Sequence, residues 1–399
     1  MEITLRNLTP ILLAASVATS AHATDDPVRV GILLGFTGPV ESLTHDMAAA
    51  ADLAVAEINA SGQFLGGRQI LAPRADTTCS DAAVATTAGE RLVSAERVDA
   101  ILGAACSGAS TAVVSGVTVP HGLLTVSPAS TSPALTTIED EGLFFRTAPS
   151  DARQGEVLAD LVIGKGIRTI AVTYTNNDYG RGLADAFEQA YLSLGGTIAI
   201  SAAHEDGRGD YSAEVGALAA SGASELLVIG YVDQGGSAII RAALDTGAFE
   251  RFVLGDGMLN ETLLANFGSE IDGSFGTVPG SETDALAAFD GMARDGGLTG
   301  TGPYRAEAYD AMALIALAMQ AAGSTDSQAV ADRMLAVANA PGEPIAAGNL
   351  TRGLEILAAG GEIDYEGATG VSLSAEGDAA GSYRVIEIDD GTFHNDQGS

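Results

Sequence analysis

Hydroxyl and carboxyl side chains stand directly after several short apolar runs of this chain. Ser107 and Thr131 each follow a predicted strand, and Ser107 also opens a predicted helix. Asp256 follows another apolar run further along. Free N–H groups at a helix start favour a carboxylate, and an acid favours an ammonium group, so these residues could together bind a zwitterion. Each also has an ordinary interpretation, Ser107 as an N-cap and Thr131 and Asp256 as turn residues.

The sequence gives little support for an enzyme, because the common catalytic motifs are missing. A secreted hydrolase or transferase could use Ser107 with His121, or the Cys106 thiol with a histidine, but no spacing places either pair together. The chain has no G-x-S-x-G elbow, no G-x-G-x-x-G after its first strand and no GK[ST] loop. His45 and His204 lack metal-ligand spacing, and two cysteines exclude a four-cysteine zinc site. We therefore expect no enzymatic activity, no cofactor and no metal.

The amino-acid composition limits the classes of molecule that this chain can bind. The chain has 399 residues, 46% of them hydrophobic, with 52 acidic and 19 basic residues and a net charge of −33. Disorder is disfavoured, and two or three domains fit the length. Because DNA, RNA and anionic membranes would repel such a chain, a soluble protein with a solvated acidic exterior is the better interpretation.

The N-terminus is typical of a secretory signal peptide. Arg6 precedes an apolar run over 11–17, and Ala21-His22-Ala23 fits the small-x-small cleavage pattern. Residues 1–23 are therefore expected to be removed on export, and no other segment has the roughly 20 apolar residues of a membrane span. In an oxidising compartment Cys79 and Cys106, the only cysteines, are expected to form a disulfide.

Strand and helix patterns alternate twice along the mature chain. The first run starts at Val28–Gly35 and extends to Phe144–Thr147, and the second starts with the helix Asp151–Ile163 and reaches the strand Phe252–Gly255. Such alternation predicts two α/β lobes with parallel sheets and helices on both faces. A late helical block over 283–338 is expected to pack on the first lobe.

These observations imply that the chain passes between the lobes more than once. The candidate crossings are Ala148–Ser150, Thr277–Gly280 and Gly353–Glu362. The first lobe is therefore assigned to residues 24–148 and 280–355, and the second to 149–279 and 356–399.

The motifs, in their order and spacing, resemble the periplasmic leucine/isoleucine/valine-binding proteins, which are the amino-acid receptors of ABC importers. The matching segments run along nearly the whole mature chain: Gly31-Ile32-Leu33-Leu34 with Thr37-Gly38-Pro39, Glu57-Ile58-Asn59-Ala60, Cys79, Cys106-Ser107, Ser127 through Thr136, Arg146-Thr147 with Gln154-Gly155, Asn177 through Gly182, and Gly230-Tyr231. The resemblance implies the type I periplasmic binding protein fold, in which two doubly wound α/β lobes, joined by a three-segment hinge, close over one ligand like a clam shell.

The resemblance also implies a set of binding residues. Ser107 corresponds to the residue that binds the ligand carboxylate, and the segment Ala129-Ser130-Thr131 to the one that binds both ends of an amino acid. Tyr179 and Tyr231 match two tyrosines of the second lobe, and Asp256 falls where the family places an acid against the ligand's ammonium. Leu43 stands where many members have an aromatic residue, so the cleft wall differs there.

The expected function is that of a periplasmic receptor, in a Gram-negative bacterium, that captures an aliphatic amino acid and delivers it to the permease subunits of an ABC importer. The resemblance also leaves open an amide, urea or aromatic carboxylate as ligand, and a sensor that docks on a receptor instead of a permease. We expect a monomer that binds no nucleic acid and is not inserted in the membrane.

Overall fold

The computed structural model describes residues 26–280 and 282–395. The expected signal peptide, residues 1–23, lies outside the described residues. Within these ranges, none of the helices combines the length and apolar character that crossing a membrane requires.

The first half of the chain follows the alternation that the sequence predicts. Its elements are β1 (Val28–Leu34), α1 (Glu41–Ser61), β2 (Ile70–Leu71), β3 (Arg74–Asp76), α2 (Ala82–Arg91), β4 (Ala100–Gly103), α3 (Ser107–Val113), β5 (Thr125–Ser127), β6 (Phe144–Pro149), α4 (Asp151–Gly164), β7 (Thr169–Thr175), α5 (Asp178–Ser193) and β8 (Thr197–His204).

The second half continues the alternation and then becomes mainly helical. Its elements are α6 (Ser212–Ala219), β9 (Glu225–Ile229), α7 (Gly235–Thr246), β10 (Phe252–Leu254), α8 (Glu261–Phe267), β11 (Phe275–Pro279), α9 (Asp284–Asp295), α10 (Arg305–Ala322), α11 (Ser327–Ala338), β12 (Glu343–Ala346), α12 (Leu350–Ala358), β13 (Ile363–Gly367), β14 (Asp378–Ala379), β15 (Tyr383–Asp389) and β16 (Thr392–Asn395).

Two large sheets define two lobes. The first lobe is built on strands in the order β14-β6-β5-β4-β1-β2, with β3 also paired to β1, and these pairs are all parallel. The second lobe has the order β16-β15-β11-β10-β9-β7-β8, parallel from β8 to β11 and antiparallel at β15 and β16. The expected pair of doubly wound α/β lobes is therefore present.

The order of the strands determines which loops lie beside a crevice at the carboxyl edge of each sheet. In the first sheet β1 lies between β3 and β4, and in the second β7 lies between β8 and β9. Such a reversal of strand order opens a crevice at the carboxyl ends of the strands, where doubly wound sheets bind ligands. The loops after β4, β5, β9 and β10 therefore face the crevices.

The third passage between the lobes differs from the sequence expectation. Residues 353–362, the expected crossing, belong to α12 and to the turn before β13, which pairs with β12 in a small separate sheet. The strand β14 then pairs with β6 of the first sheet, so the chain reaches the second lobe only at Tyr383. Residues 356–382 thus belong to the first lobe, and the boundary placed at 356 was wrong because a strand of two residues leaves no readable pattern.

Helix α10 is the central helix of the first lobe. It packs against α1, α11 and α12, and its residues from Arg305 to Gln320 are buried on all sides. One of them, Glu307, faces the region of the three crossings, where its main-chain oxygen accepts a hydrogen bond from Thr147 at 2.8 Å. Burial, reinforced by Asp310, raises the pKa of Glu307 to about 7, although Arg384 and Arg305 lower it.

This buried acid predicts a pH dependence of stability. Because the pKa of Glu307 is about 7 in the folded protein and about 4.5 in an unfolded chain, the folded state binds more protons between these values. As the pH rises from about 4.5 to 7, Glu307 ionises in the unfolded chain but stays largely protonated in the folded protein. The free energy of unfolding therefore falls over this range, by up to about 3 kcal/mol. The variant Glu307→Gln should lose this slope, measured by urea unfolding over that pH range.

The exposed Glu366 of β13 provides the matched control. Glu366→Gln should leave the pH slope unchanged. An equal slope in wild type and Glu307→Gln would contradict the assignment.

Candidate ligand-binding site

A cavity lies between the two lobes, at the carboxyl edges of both sheets. It is lined by Val40, Leu43, Thr44, Met47, Ala105, Cys106, Ser107, Ala129, Thr131, Tyr179, Tyr231, Asp256, Gly257 and Tyr304. Among these described residues there is no lysine, arginine or histidine. The wall of the cavity thus has one carboxylate and no cation.

Asp256 is the acid of this wall and is completely buried. Its Oδ1 accepts hydrogen bonds from the hydroxyl of Tyr179 at 2.6 Å and from the main-chain N–H of Gly257 at 2.9 Å, and its Oδ2 accepts one from the hydroxyl of Tyr304. Burial raises the pKa of Asp256 even though these three donors lower it. The carboxylate is held in place by neutral donors, which leave its charge uncompensated.

The tyrosines of the second lobe form a flat wall beside Asp256. The rings of Tyr179 and Tyr231 are stacked, with centroids 5.3 Å apart and planes at 24°. Tyr179 is set by the start of α5, where the side chain of Asn177 accepts from the N–H of Gly180 at 3.0 Å and caps the helix. The Nδ2 group of Asn177 also donates to the Tyr231 hydroxyl at 3.5 Å.

The opposite wall belongs to the first lobe and is rich in hydrogen-bonding groups. Ser107 is the first residue of α3, and its hydroxyl accepts from the N–H of Ser132 at 3.1 Å. The first N–H groups of a helix have no partner within the helix, so this start can receive a carboxylate. Ala129 and Thr131 line the cavity from the loop after β5.

A buried arginine holds that loop. The guanidinium of Arg146 donates to the carbonyl oxygens of Ser130 at 3.2 Å and Ser132 at 2.9 Å, and it forms a two-pronged ion pair with Asp378 at 2.6 and 2.9 Å. The Arg146 side chain is fully buried and that of Asp378 is 15% exposed. The expected disulfide between Cys79 and Cys106 is confirmed, and it ties the residue before Ser107 to the loop after β3.

The lobes touch around the cavity, so the structure is a closed form. The N–H of Ser42 donates to Asp233 at 2.8 Å, and Asn260 donates to the Ser42 hydroxyl at 2.7 Å. The hydroxyl of Thr111 likewise reaches Asp178 at 3.3 Å. These contacts join the first lobe to the second.

Seven of the eight residues that the sequence analysis assigned to the site line this one cavity: Leu43, Ser107, Ala129, Thr131, Tyr179, Tyr231 and Asp256. Ser130 does not. Its hydroxyl binds Ser110 at 2.6 Å and the carbonyl of Ala104 at 3.0 Å, so it fixes the loop from behind.

Tyr304 is the tyrosine bonded to Asp256 that was not predicted from the sequence. It immediately precedes α10, far along the chain from the other site residues, and it adopts a left-handed conformation with φ 70°. A non-glycine residue in this region is strained, and such strain gathers at functional sites. The signal in the sequence was only Gly302-Pro303 before an apolar helix, which says nothing about a cleft.

Comparisons with known proteins find similarity to periplasmic binding proteins. A family model described as "Periplasmic binding protein" matches residues 27–372. The Leu/Ile/Val-binding protein homolog 3 of Brucella melitensis is 30% identical over 345 residues, which covers 83% of this chain and 89% of that protein.

Solved structures show the same fold. The leucine-binding protein LivK of Thermotoga maritima superposes with a TM-score of 0.79 at 22% identity, covering 92% of this chain and 97% of that chain. A solute-binding protein of an ABC transporter from R. palustris, solved with benzoate, gives a TM-score of 0.77 at 17% identity, covering 93% and 95%.

The anchoring role of Arg146 predicts a large loss of stability on its removal. Arg146→Met leaves Asp378 without its cation and two carbonyls without donors, so the free energy of unfolding should fall by about 3–5 kcal/mol. Arg153→Met removes an arginine that is 56% exposed and paired with Glu156, and should change it by less than about 1 kcal/mol. Urea unfolding measures both, and equal stabilities of the two variants would contradict the assignment.

Proposed function

Because this chain belongs to the periplasmic binding protein family, we propose that it is the solute receptor of an ABC importer and that it captures an amino acid between its two lobes. The receptor binds its ligand in the cavity described above and presents the closed form to membrane permease subunits. It is exported to the periplasm after removal of residues 1–23.

The single observation that carries the ligand class is the buried, uncompensated carboxylate of Asp256. A buried charge without a partner is costly, and the described cavity wall supplies no cation. The ammonium group of an amino acid supplies the missing charge. The hydrogen bonds from Tyr179 and Tyr304 keep the carboxylate in position to receive it.

The opposite wall suits the other end of an amino acid. Ser107 at the start of α3, with Ala129 and Thr131 from the neighbouring loop, offers main-chain and hydroxyl donors to a carboxylate. An acid on one lobe and donors on the other select a zwitterion. The ligand then bridges the lobes, so that binding stabilises the closed form.

The remaining wall favours an aliphatic side chain. Val40, Leu43 and Met47 line the cavity from α1 and the residue before it, and Ala105 adds a small apolar surface. No polar group of that face could pair with a polar ligand side chain except the hydroxyl of Thr44, which already donates to the carbonyl of Gly35 at 2.7 Å. Leucine, isoleucine and valine are the ligands that fit this wall best.

Aromatic carboxylates are the second candidate, because a structural neighbour was solved with benzoate. Such a ligand has no ammonium group and would leave Asp256 buried beside it without a counter-charge. We therefore rank it below an amino acid.

Calorimetric titration tests the ligand class. Unfolded and refolded wild type should bind leucine, isoleucine or valine one-to-one, and should bind their des-amino acids far more weakly. Asp256→Asn should weaken leucine binding by about 30-fold or more, because the ammonium loses its buried partner. Asp245→Asn, which changes an exposed acid of the same lobe, should bind like wild type.

Equal affinity of wild type and Asp256→Asn would contradict the anchor. Binding of benzoate but of no amino acid would favour the second candidate.

The aliphatic wall gives a separate prediction. Leu43→Ala removes apolar surface from the cavity, so leucine should bind about 10-fold more weakly while the affinity for alanine changes little. The same titration measures both ligands. A uniform loss for leucine and alanine would mean that Leu43 supports the fold of the cleft and does not contact the ligand side chain.

A further inference from the structure

Asp151 is a buried acid that neither the fold nor the proposed ligand contacts employ. It is the first residue of α4 and is completely buried. Neither of its carboxyl oxygens has a hydrogen-bond partner in the described structure. It is not the cap of its helix, because Ser150 has that role and accepts from the N–H of Ala152 at 3.3 Å.

Asp151 is not itself one of the residues that line the ligand cavity, but several of its neighbours are. Its main-chain N–H donates to the carbonyl of Thr131 at 2.8 Å. The groups that interact electrostatically with its carboxyl group are Thr131, Arg146, Tyr179, Tyr231, Asp256 and Tyr383.

Arg146, the cation in this set, is already engaged. It pairs with Asp378 and donates to the carbonyls of Ser130 and Ser132. Burial, and then the charge of Asp256, raise the pKa of Asp151 well above its usual range. The Thr131 hydroxyl and Arg146 lower it less. Two acids therefore share a region in which no cation is left for them.

The donors of an ammonium group match the acceptor oxygens that Asp256 and Asp151 offer together. An ammonium has three N–H donors. Asp256 already accepts from Tyr179, Tyr304 and Gly257, so its capacity is largely occupied. Asp151 has two free oxygens, and a buried acceptor without a donor is the exception in folded proteins.

We propose that Asp151 is a second carboxylate for the ligand's ammonium group, and that in the empty closed site Asp151 and Asp256 hold one proton that the ammonium displaces. The inference rests on the proposed function, since it needs a ligand with an amino group. On binding, the O–H bond of the protonated carboxyl breaks and the proton passes to water, while the ligand keeps its three N–H bonds. The net charge of the two acids with their cation is −1 before and after.

This exchange has consequences that a structural role of Asp151 would not have. Binding releases up to one proton per ligand, and the affinity falls as the pH is lowered, because the proton then competes better with the ammonium. A ligand with an amino group is stabilised by contacts with both carboxylates. A des-amino acid is stabilised by neither.

The experiment is a calorimetric titration of wild type with leucine in two buffers of different ionisation enthalpy, at mildly acid and mildly alkaline pH. The difference between buffers gives the number of protons released. Wild type should release close to one proton at the acid pH and fewer at the alkaline pH. Asp151→Asn should bind leucine about 10- to 100-fold more weakly and lose most of the proton release.

A matched control and a ligand-free measurement keep the result interpretable. Asp160→Asn changes an exposed acid of the same helix and should behave like wild type. Melting of ligand-free Asp151→Asn should occur at or above the wild-type temperature, because a buried group that can carry a charge is replaced by a neutral amide. Infrared difference spectra of wild type should show a carboxylic acid C=O band that disappears when leucine is added, and this needs no variant.

The outcomes separate the two proposals. Leucine binding without proton release, with Asp151→Asn equal to wild type, overturns this inference and leaves the proposed function standing. Failure of wild type to bind any amino acid overturns the proposed function, and the role of Asp151 with it. Proton release that survives in Asp151→Asn assigns the proton to Asp256 alone and also overturns the inference.

Discussion

A carboxylate held in a closed cleft without a counter-ion is the constraint on which the site depends. Asp256 is fully buried, and its hydrogen bonds come from Tyr179, Tyr304 and a main-chain N–H, which orient a charge but do not neutralise it. Such a site is stable when a cation enters, and the zwitterion that brings one also brings a carboxylate for the donors at the start of α3. In the proposed function, ligand recognition and closure of the lobes therefore follow from the same interaction.

The surrounding structure keeps the two walls in register. On the first lobe, the buried ion pair of Arg146 with Asp378 and the disulfide from Cys79 to Cys106 hold the loops that carry Thr131 and Ser107. On the second lobe, parallel strands deliver Tyr179, Tyr231 and Asp256 to one edge of the sheet. Tyr304 of the first lobe donates a hydrogen bond to Asp256 of the second, so the closed form contains a direct polar link between the lobes beside the cavity.

The sequence predicted the parts of this site that follow local rules. Ser107 and Asp256 stand after apolar runs of the first and the second sheet, and the carboxyl edge of each such sheet is where ligands bind. Tyr304 could not be predicted in this way, because it reaches the cavity through the packing of α10 on the first lobe. Asp151 looked like an ordinary residue of a helix start, and only its burial without partners sets it apart. The third crossing was misplaced because β14 has two residues and no periodicity, and Ser130 was assigned to the ligand by its neighbours in the sequence although its hydroxyl points into the loop.

A crystal structure of the refolded protein with leucine tests the role of Asp256 as the ammonium anchor most directly. We expect one leucine between the lobes, with its ammonium nitrogen within hydrogen-bonding distance of the Asp256 carboxylate and its carboxylate at the start of α3 beside Ser107. A leucine bound in the opposite orientation, or a ligand lodged outside this cavity, would contradict it.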